Sequence, residues 1–228
     1  MVRWVTPTEP ALFVRDHTGL APVPLVPELR IYQGDDAIAL WEVTEELHGG
    51  PGLAPPFWAF PWAGGQALAR YVLDHPEVVR GRSVCDMASG SGLVALAAAR
   101  AGAAMVTAVE IDPYAAAAIR LNAAAGGLDV TVLLADLLAP VTEPDDAVGA
   151  ALAAEVVLAG DVFYNREMAA GMLTFFRAAR ERGATVLVGD PGRAYVPADV
   201  LRRVAEYDVP VVADLEDAEV RRTVVWAL

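Results

Sequence analysis

At 228 residues, 55% of them hydrophobic, the chain is long enough for one sizeable core and short for two domains. A formal net charge of −13, with no basic stripe to neutralise phosphates, argues against a nucleic-acid backbone as the main partner. No apolar run approaches the roughly 20 residues of a membrane helix, and no basic segment followed by an apolar one opens the chain, so the expectation is a cytoplasmic protein with no membrane contact.

Residues 1–60 differ in kind from the rest. They are rich in proline ("GLAPVPLVPEL", "GGPGLAPPFW") and carry one helical stretch over about Asp36 to Leu47, where Trp41, Glu42 and Glu45 lie. An aromatic segment, "PPFWAFPWAGGQALARYVLDHP", then feeds a helix from about Gly64 to Leu73. From Val84 onward, short apolar runs alternate with amphipathic or alanine-rich stretches, the pattern of a parallel sheet covered by helices. The predicted strands are "SVCDM", "MVTAVEI", "VTVLLA", "EVVLAGD", "TVLVGD", "VPVVADL" and "RRTVVWAL". Helices are expected near Leu93, Pro113, Arg166 and Pro197; both prolines suit a first helical turn, where no N–H is needed. Glycines in "ERGAT" and "AGGLDV" serve as helix exits, and "PVTEPDDAVGAALAAE" reads as a mobile connection. The chain is therefore expected to be a single domain, with residues 1–60 an elaboration on a core of residues 61–228.

The cysteine and histidines carry little chemistry. Cys85 is alone and sits inside an apolar strand, and His17, His48 and His75 lack ligand spacing, so no metal site is expected. All 17 basic residues are arginine. An acidic surface suits a basic protein or peptide substrate, although acidity by itself chiefly favours solubility.

The stretch "VCDMASGSGLVALAAARAG" places a carboxylate, Asp86, at the end of the first core strand, before a loop of small residues that opens a helix. In open parallel sheets, ligands sit beyond the carboxyl ends of the strands. Gly90 and Gly92 allow close backbone approach, and the helix N-terminus offers N–H groups. Gly90 to Ala95 also fits the G-x-G-x-x-G/A dinucleotide fingerprint, with Glu110 about 20 residues on to bind ribose hydroxyls. Asp86 separates the two readings. Its carboxylate repels a pyrophosphate and attracts S-adenosylmethionine, whose sulfonium and ammonium are cationic; a strand-end carboxylate that caps nearby N–H groups is the local alternative. Asp136, after the third strand, is placed to accept from an adenine amine, with Leu137 beside it as a ring contact; a helix cap is the local alternative.

"DMASGSG", "VEIDP" (with Glu110 and Ile111) and "ADLL" resemble the cofactor motifs of the seven-strand S-adenosylmethionine-dependent methyltransferases. "PFWAFPWAGGQALARYVLDHPEVVRGRSVCDMASGSG", "GDVFYN" and "GDPGRAY" resemble more closely the electron transfer flavoprotein beta-subunit lysine methyltransferases, from about Leu25 to Tyr195. The resemblance implies a Rossmann-like α/β fold, a doubly wound seven-stranded sheet of order 3-2-1-4-5-7-6 with the last strand antiparallel. It implies methylation of a lysine on the flavoprotein beta subunit. It also places Asp161 and Tyr164 of "GDVFYN" in the active site as a D-x-x-F/Y element, the carboxylate holding the incoming amine and the phenol forming a wall. Ala88 stands at a loop position where most relatives carry glycine, which is tolerable if the backbone angles there are ordinary.

Gly64 and Gly65 are expected to approach the cofactor beside Gln66, with Trp62 covering its adenosine or methionine end. Asp190 and Arg193 are expected either to shape the substrate entrance or simply to form a turn. Methylation of a small amine or of another protein (nicotinamide or ribosomal-protein type), and a cofactor-binding scaffold without catalysis, are the alternative functions. A dehydrogenase is opposed by Asp86.

Overall fold

The computed structural model describes residues 9–48, 55–139, 146–211 and 218–228. Its centre is a seven-stranded sheet whose strands, in chain order, are β3 (Ser83–Met87), β4 (Met105–Glu110), β5 (Thr131–Leu134), β6 (Val156–Gly160), β7 (Thr185–Asp190), β8 (Arg202–Pro210) and β9 (Val220–Ala227). They lie in the spatial order β5-β4-β3-β6-β7-β9-β8. The first five pair in parallel, and β9 runs antiparallel to both β7 and β8. Numbered within the sheet this is 3-2-1-4-5-7-6, as the motifs imply. Central strands such as β3 and β6 are continuous apolar runs because helices cover both faces.

On one face lie α3 (Ala63–Asp74), α4 (Leu93–Arg100) and α5 (Pro113–Gly126); α6 (Asp146–Leu152) and α7 (Arg166–Glu181) cover the other. Alanine-rich α4 and α5 pack closely against the sheet because their side chains are short. Asp112 caps α5 by accepting from the Tyr114 N–H, and Pro113 occupies its first turn. Asn165 caps α7 in the same way, accepting from the Met168 N–H.

The N-terminal third adds α1 (Pro10–His17), a hairpin of β1 (Gly19–Val23) and β2 (Val26–Gln33), and α2 (Ala37–His48). The hairpin was not expected from so many prolines. It tolerates them because a two-stranded sheet is all edge, where a missing N–H leaves no ladder partner stranded. An aromatic cluster of Phe13, Trp58, Phe60 and Tyr114 joins α1 and residues 57–60 to α5. Asn122, fully buried on α5, accepts from the Tyr32 N–H at 2.7 Å and donates to the Ser91 carbonyl at 2.8 Å. One side chain thus ties the hairpin to the glycine loop.

Three expectations are corrected. No helix begins at Pro197: residues 197–200 are turns. The sixth sheet strand is β8 over Arg202–Pro210, which overlaps "VPVVADL" only at Val209 and Pro210; the last residues of that segment fall within 212–217, outside the described residues. The connection "PVTEPDDAVGAALAAE" contains α6, while residues 140–145 are not among those described.

Candidate active site

The carboxyl ends of β3, β4, β6 and β7 form the working edge. At the end of β3, Asp86 is 1% exposed. Its Oδ2 accepts from the Ala95 N–H at 3.0 Å and from the Ser89 hydroxyl, so it pins the loop to the first turn of α4. Burial pushes its carboxyl up to about 7; the bonds from Ser89 and Ala95 oppose this and the nearby Glu110 reinforces it. Glu110, at the end of β4, accepts from the Gly90 N–H at 2.8 Å through Oε1 and from the Ile111 N–H at 2.9 Å through Oε2. It too is pushed above its ordinary range, chiefly by burial. Gly90 and Gly92 adopt φ of +57° and +83°, conformations that L side chains rarely enter. The sequence assigned Asp86 and Glu110 to a ligand; both also build the loop that would hold it.

Ala88 has φ of +51°. Its backbone angles are therefore not ordinary, and its Cβ carries the strain of a left-handed residue, about 1–2 kcal/mol. Ile111 is 72% exposed, an apolar side chain at a strand end. Leu137 is buried. Asp136 is exposed and caps its own turn, its Oδ1 accepting from the Leu138 and Ala139 N–H groups.

These residues fit S-adenosylmethionine. Asp86, buried, and Glu110, partly buried, are carboxylates held above their ordinary range, chiefly by desolvation. A ligand bringing positive charge relieves that penalty, and a pyrophosphate aggravates it. The loop offers main chain instead of side chains, and Ile111 offers an apolar face. Among the described residues no group of histidine, cysteine or carboxylate side chains is arranged to hold a metal ion.

The neighbouring corner lies at the ends of β6 and β7. Asp161 takes φ of +57° immediately after β6, a conformation aspartate enters more readily than most residues. Its Oδ2 accepts from the Gly65 N–H at 3.0 Å, in the first turn of α3. Its Oδ1 pairs with the Arg193 guanidinium at 2.9 Å. Burial pushes the Asp161 carboxyl up to about 6, against the lowering effect of Arg193 and with a smaller push from Asp190. Asp190 is fully buried and accepts from the Gly192 and Arg193 N–H groups, both at 2.7 Å. It shapes the tight turn that presents Arg193.

Arg193 lies over the Trp62 ring at 5.7 Å. Trp62 donates through Nε1 to the Phe57 carbonyl at 2.7 Å and packs edge-on against the Phe57 ring. Phe57 in turn faces Tyr164 with ring centroids 5.8 Å apart. Tyr164 is 47% exposed, with its phenol pushed up by burial and then by Glu110. Phe57, Trp62 and Tyr164 thus form a wall, with Asp161 and Arg193 beside it.

Two sequence assignments change character. A Cβ on Gly64 would stand 2.2 Å from the Gly189 carbonyl oxygen and 2.5 Å from Asp161 Oδ2, so Gly64 lets α3 rest on the strand ends. Gly65 faces open space. Gln66 is fully buried; it accepts from the Leu25 N–H and donates to the Pro61 and Pro210 carbonyls. Its amide fastens the aromatic segment to the hairpin and to β8, which leaves it no direct path to a ligand.

The Asp161–Arg193 pair and the part played by Phe57 were not read from sequence. The aromatic run around Phe57 was visible, but its facing Tyr164 is a product of the fold.

A family model described as ribosomal protein L11 methyltransferase matches residues 66–171. Among curated proteins, the chain is 34% identical over 226 residues to the electron transfer flavoprotein beta subunit lysine methyltransferase of Xenopus laevis, covering 96% of this chain and 87% of that protein. The Danio rerio protein of the same description is 33% identical over 208 residues, covering 89% and 76%. A crystal structure of a Thermoplasma acidophilum protein shares the fold, with a TM-score of 0.51, 19% identity and coverage of 71% of this chain and 88% of that one.

Proposed function

The chain belongs to the electron transfer flavoprotein beta subunit lysine methyltransferase family and is an S-adenosylmethionine-dependent methyltransferase; on that premise we propose that it methylates a lysine side chain of a folded protein, the electron transfer flavoprotein beta subunit. The observation that carries the reading is the adjacency of two differently built corners on one sheet edge. The β3 and β4 ends carry a cradle of small residues with the buried Asp86 and the partly buried Glu110, and the neighbouring β6 end carries Asp161 and an aromatic wall.

The cofactor would be held by Asp86, Ala88, Gly90, Gly92, Glu110, Ile111, Asp136 and Leu137, with Gly65 at the acceptor side. When bound it supplies an electrophilic methyl on a sulfonium, which the acceptor nitrogen takes with its lone pair as the carbon–sulfur bond breaks towards sulfur. The protein's task is placement, since a nucleophile held about 3 to 3.5 Å from its target and aligned gains most of the available acceleration. Asp161 receives the incoming lysine head. Tyr164, Phe57 and Trp62 flank its aliphatic stem, excluding water from a group that must give up a proton before it can react. Gln66 and Gly64 hold α3 and the aromatic segment in register with the strand ends. Residues 1–60 act as an elaboration that selects the partner, on a core of residues 61–228. The soluble compartment of the work is taken to be the cytoplasm.

The test is incubation of purified protein and purified flavoprotein beta subunit with methyl-labelled S-adenosylmethionine, followed by mass mapping. Methyl groups on lysine support the reading. Label confined to small molecules from a source lysate favours the small-amine alternative, and cofactor binding with no label favours a scaffold.

A further inference from the structure

A carboxylate beside a lysine creates a difficulty for methyl transfer. Ammonium has no lone pair, and an isolated carboxylate stabilises the ammonium form, raising the already high lysine pKa of about 10.4. The geometry points to Arg193 as the charge-balancing partner of Asp161, the residue that allows a lysine to rest against the carboxylate as a neutral amine. This rests on the lysine methyltransferase reading above.

Several observations converge. The Arg193 guanidinium meets Asp161 Oδ1 at 2.9 Å, and the pair is largely shielded, with the two side chains 23% and 12% exposed. The other carboxylate oxygen is engaged by the Gly65 N–H. Arg193 is fixed from both ends, by its own N–H to Asp190 and by its guanidinium over Trp62. Among the described residues, the charged groups that act most on Asp161 are Arg193 and Asp190, both from the β7 end, while Glu110 acts on Tyr164 across the site. Guanidinium keeps its proton at every working pH, so lysine is the group that yields. Its proton passes to bulk water, the freed lone pair forms the new carbon–nitrogen bond, and the product ammonium carries the charge that the sulfonium loses.

Arg193→Gln and Arg193→Lys would be compared with the unaltered protein on the flavoprotein beta subunit, following kcat from pH 6.5 to 10. For Arg193→Gln the acidic limb should move up by a unit or more, giving at least a 10-fold loss near pH 7.5 that largely recovers near pH 10. Arg193→Lys should restore most of the original profile. A parallel loss at all pH values, or a lysine variant no better than glutamine, would overturn the assignment.

A second readout needs no turnover. In the protein without cofactor, carbon NMR of labelled aspartate should show Asp161 titrating at a higher pH in Arg193→Gln than in the unaltered chain. An unchanged titration refutes the pairing. If the unaltered enzyme fails to methylate the flavoprotein subunit while the titration shifts, the substrate reading falls and the charge pairing stands.

Discussion

Replacing Gly64 by alanine tests how α3 meets the sheet. The added Cβ would lie 2.2 Å from the Gly189 carbonyl oxygen and 2.5 Å from Asp161 Oδ2, where ordinary carbon–oxygen contacts are above 3 Å. The reciprocal positions are equally tight: a Cβ on Gly189 would fall 2.0 Å from the Gly64 carbonyl oxygen, and one on Gly160 would fall 2.8 Å from the Gly65 Cα. Main chain rests on main chain here, so no side-chain rotation can relieve the clash and the helix must lift by about 1 Å. Overpacking of this kind costs about 3 kcal/mol, the upper part of the usual range. For a chain of this size that lowers Tm by roughly 6–12 °C. The assay is thermal and urea denaturation by circular dichroism, with Gly65→Ala as the internal control. A Cβ on Gly65 meets nothing within 4 Å, so that variant should keep its stability. If Gly65 faces the cofactor as proposed, it should lose affinity for S-adenosylmethionine in calorimetry. A Gly64→Ala protein as stable as the original would refute the close-packing argument.

Ala88→Gly should stabilise the fold by up to about 1 kcal/mol, because relief of the left-handed strain exceeds the extra unfolded-state entropy of glycine; a fall in Tm would contradict this. Asp161→Ala should abolish methyl transfer while calorimetric cofactor binding persists, and equal loss of both would contradict the division into two corners. Asp86 and Asp161 are pushed up to about 7 and about 6 in the folded chain, above the ordinary aspartate value of about 3.9. The folded state therefore holds protons that the unfolded state has released. Their contribution is most favourable below about pH 4 and is lost as pH rises towards 7, by about 1 kcal/mol per unit for Asp86. Asp86→Asn should flatten that decline in urea denaturation between pH 4 and 8, and an unaltered slope would refute it. Binding of S-adenosylmethionine near pH 6.5 should release a proton from Asp86, seen as a dependence of calorimetric heat on buffer ionisation enthalpy.

The sheet from Ser83 to Asp190 was legible because its strands are apolar on both faces and are punctuated by glycine exits and proline starts. β8 was misplaced because "RRVAEYDVP" is an edge strand whose alternation of charged and apolar residues shows no continuous run, whereas the more apolar "VPVVADL" attracted the assignment. The hairpin was hidden by prolines that are harmless only on edges. In the site, residue types were readable and pairings were not. Asp161 and Arg193 lie 32 positions apart, and only the parallel neighbours β6 and β7 bring their following loops together. The structural part of Gln66 was not legible because its three main-chain partners, Leu25, Pro61 and Pro210, lie in three separate parts of the chain. Asp86 and Glu110 stood out as carboxylates at strand ends, but which N–H groups they accept from, Ala95 for one and Gly90 for the other, depends on the path of the loop between them.

The insertion of β9 between β7 and β8 has a kinetic consequence. β8 pairs with β9 alone, and β9 also covers the outer edge of β7. Until Val220–Ala227 has docked, the chain therefore displays an open edge on β7 and a β8 strand with no neighbour. Unpaired edges are templates for pairing with other chains, and non-local strand pairing is slow to form. The interval before β9 docks is when intermolecular association competes with folding at this edge, so a shortfall of soluble protein during rapid expression would reflect this late strand, however stable the finished sheet.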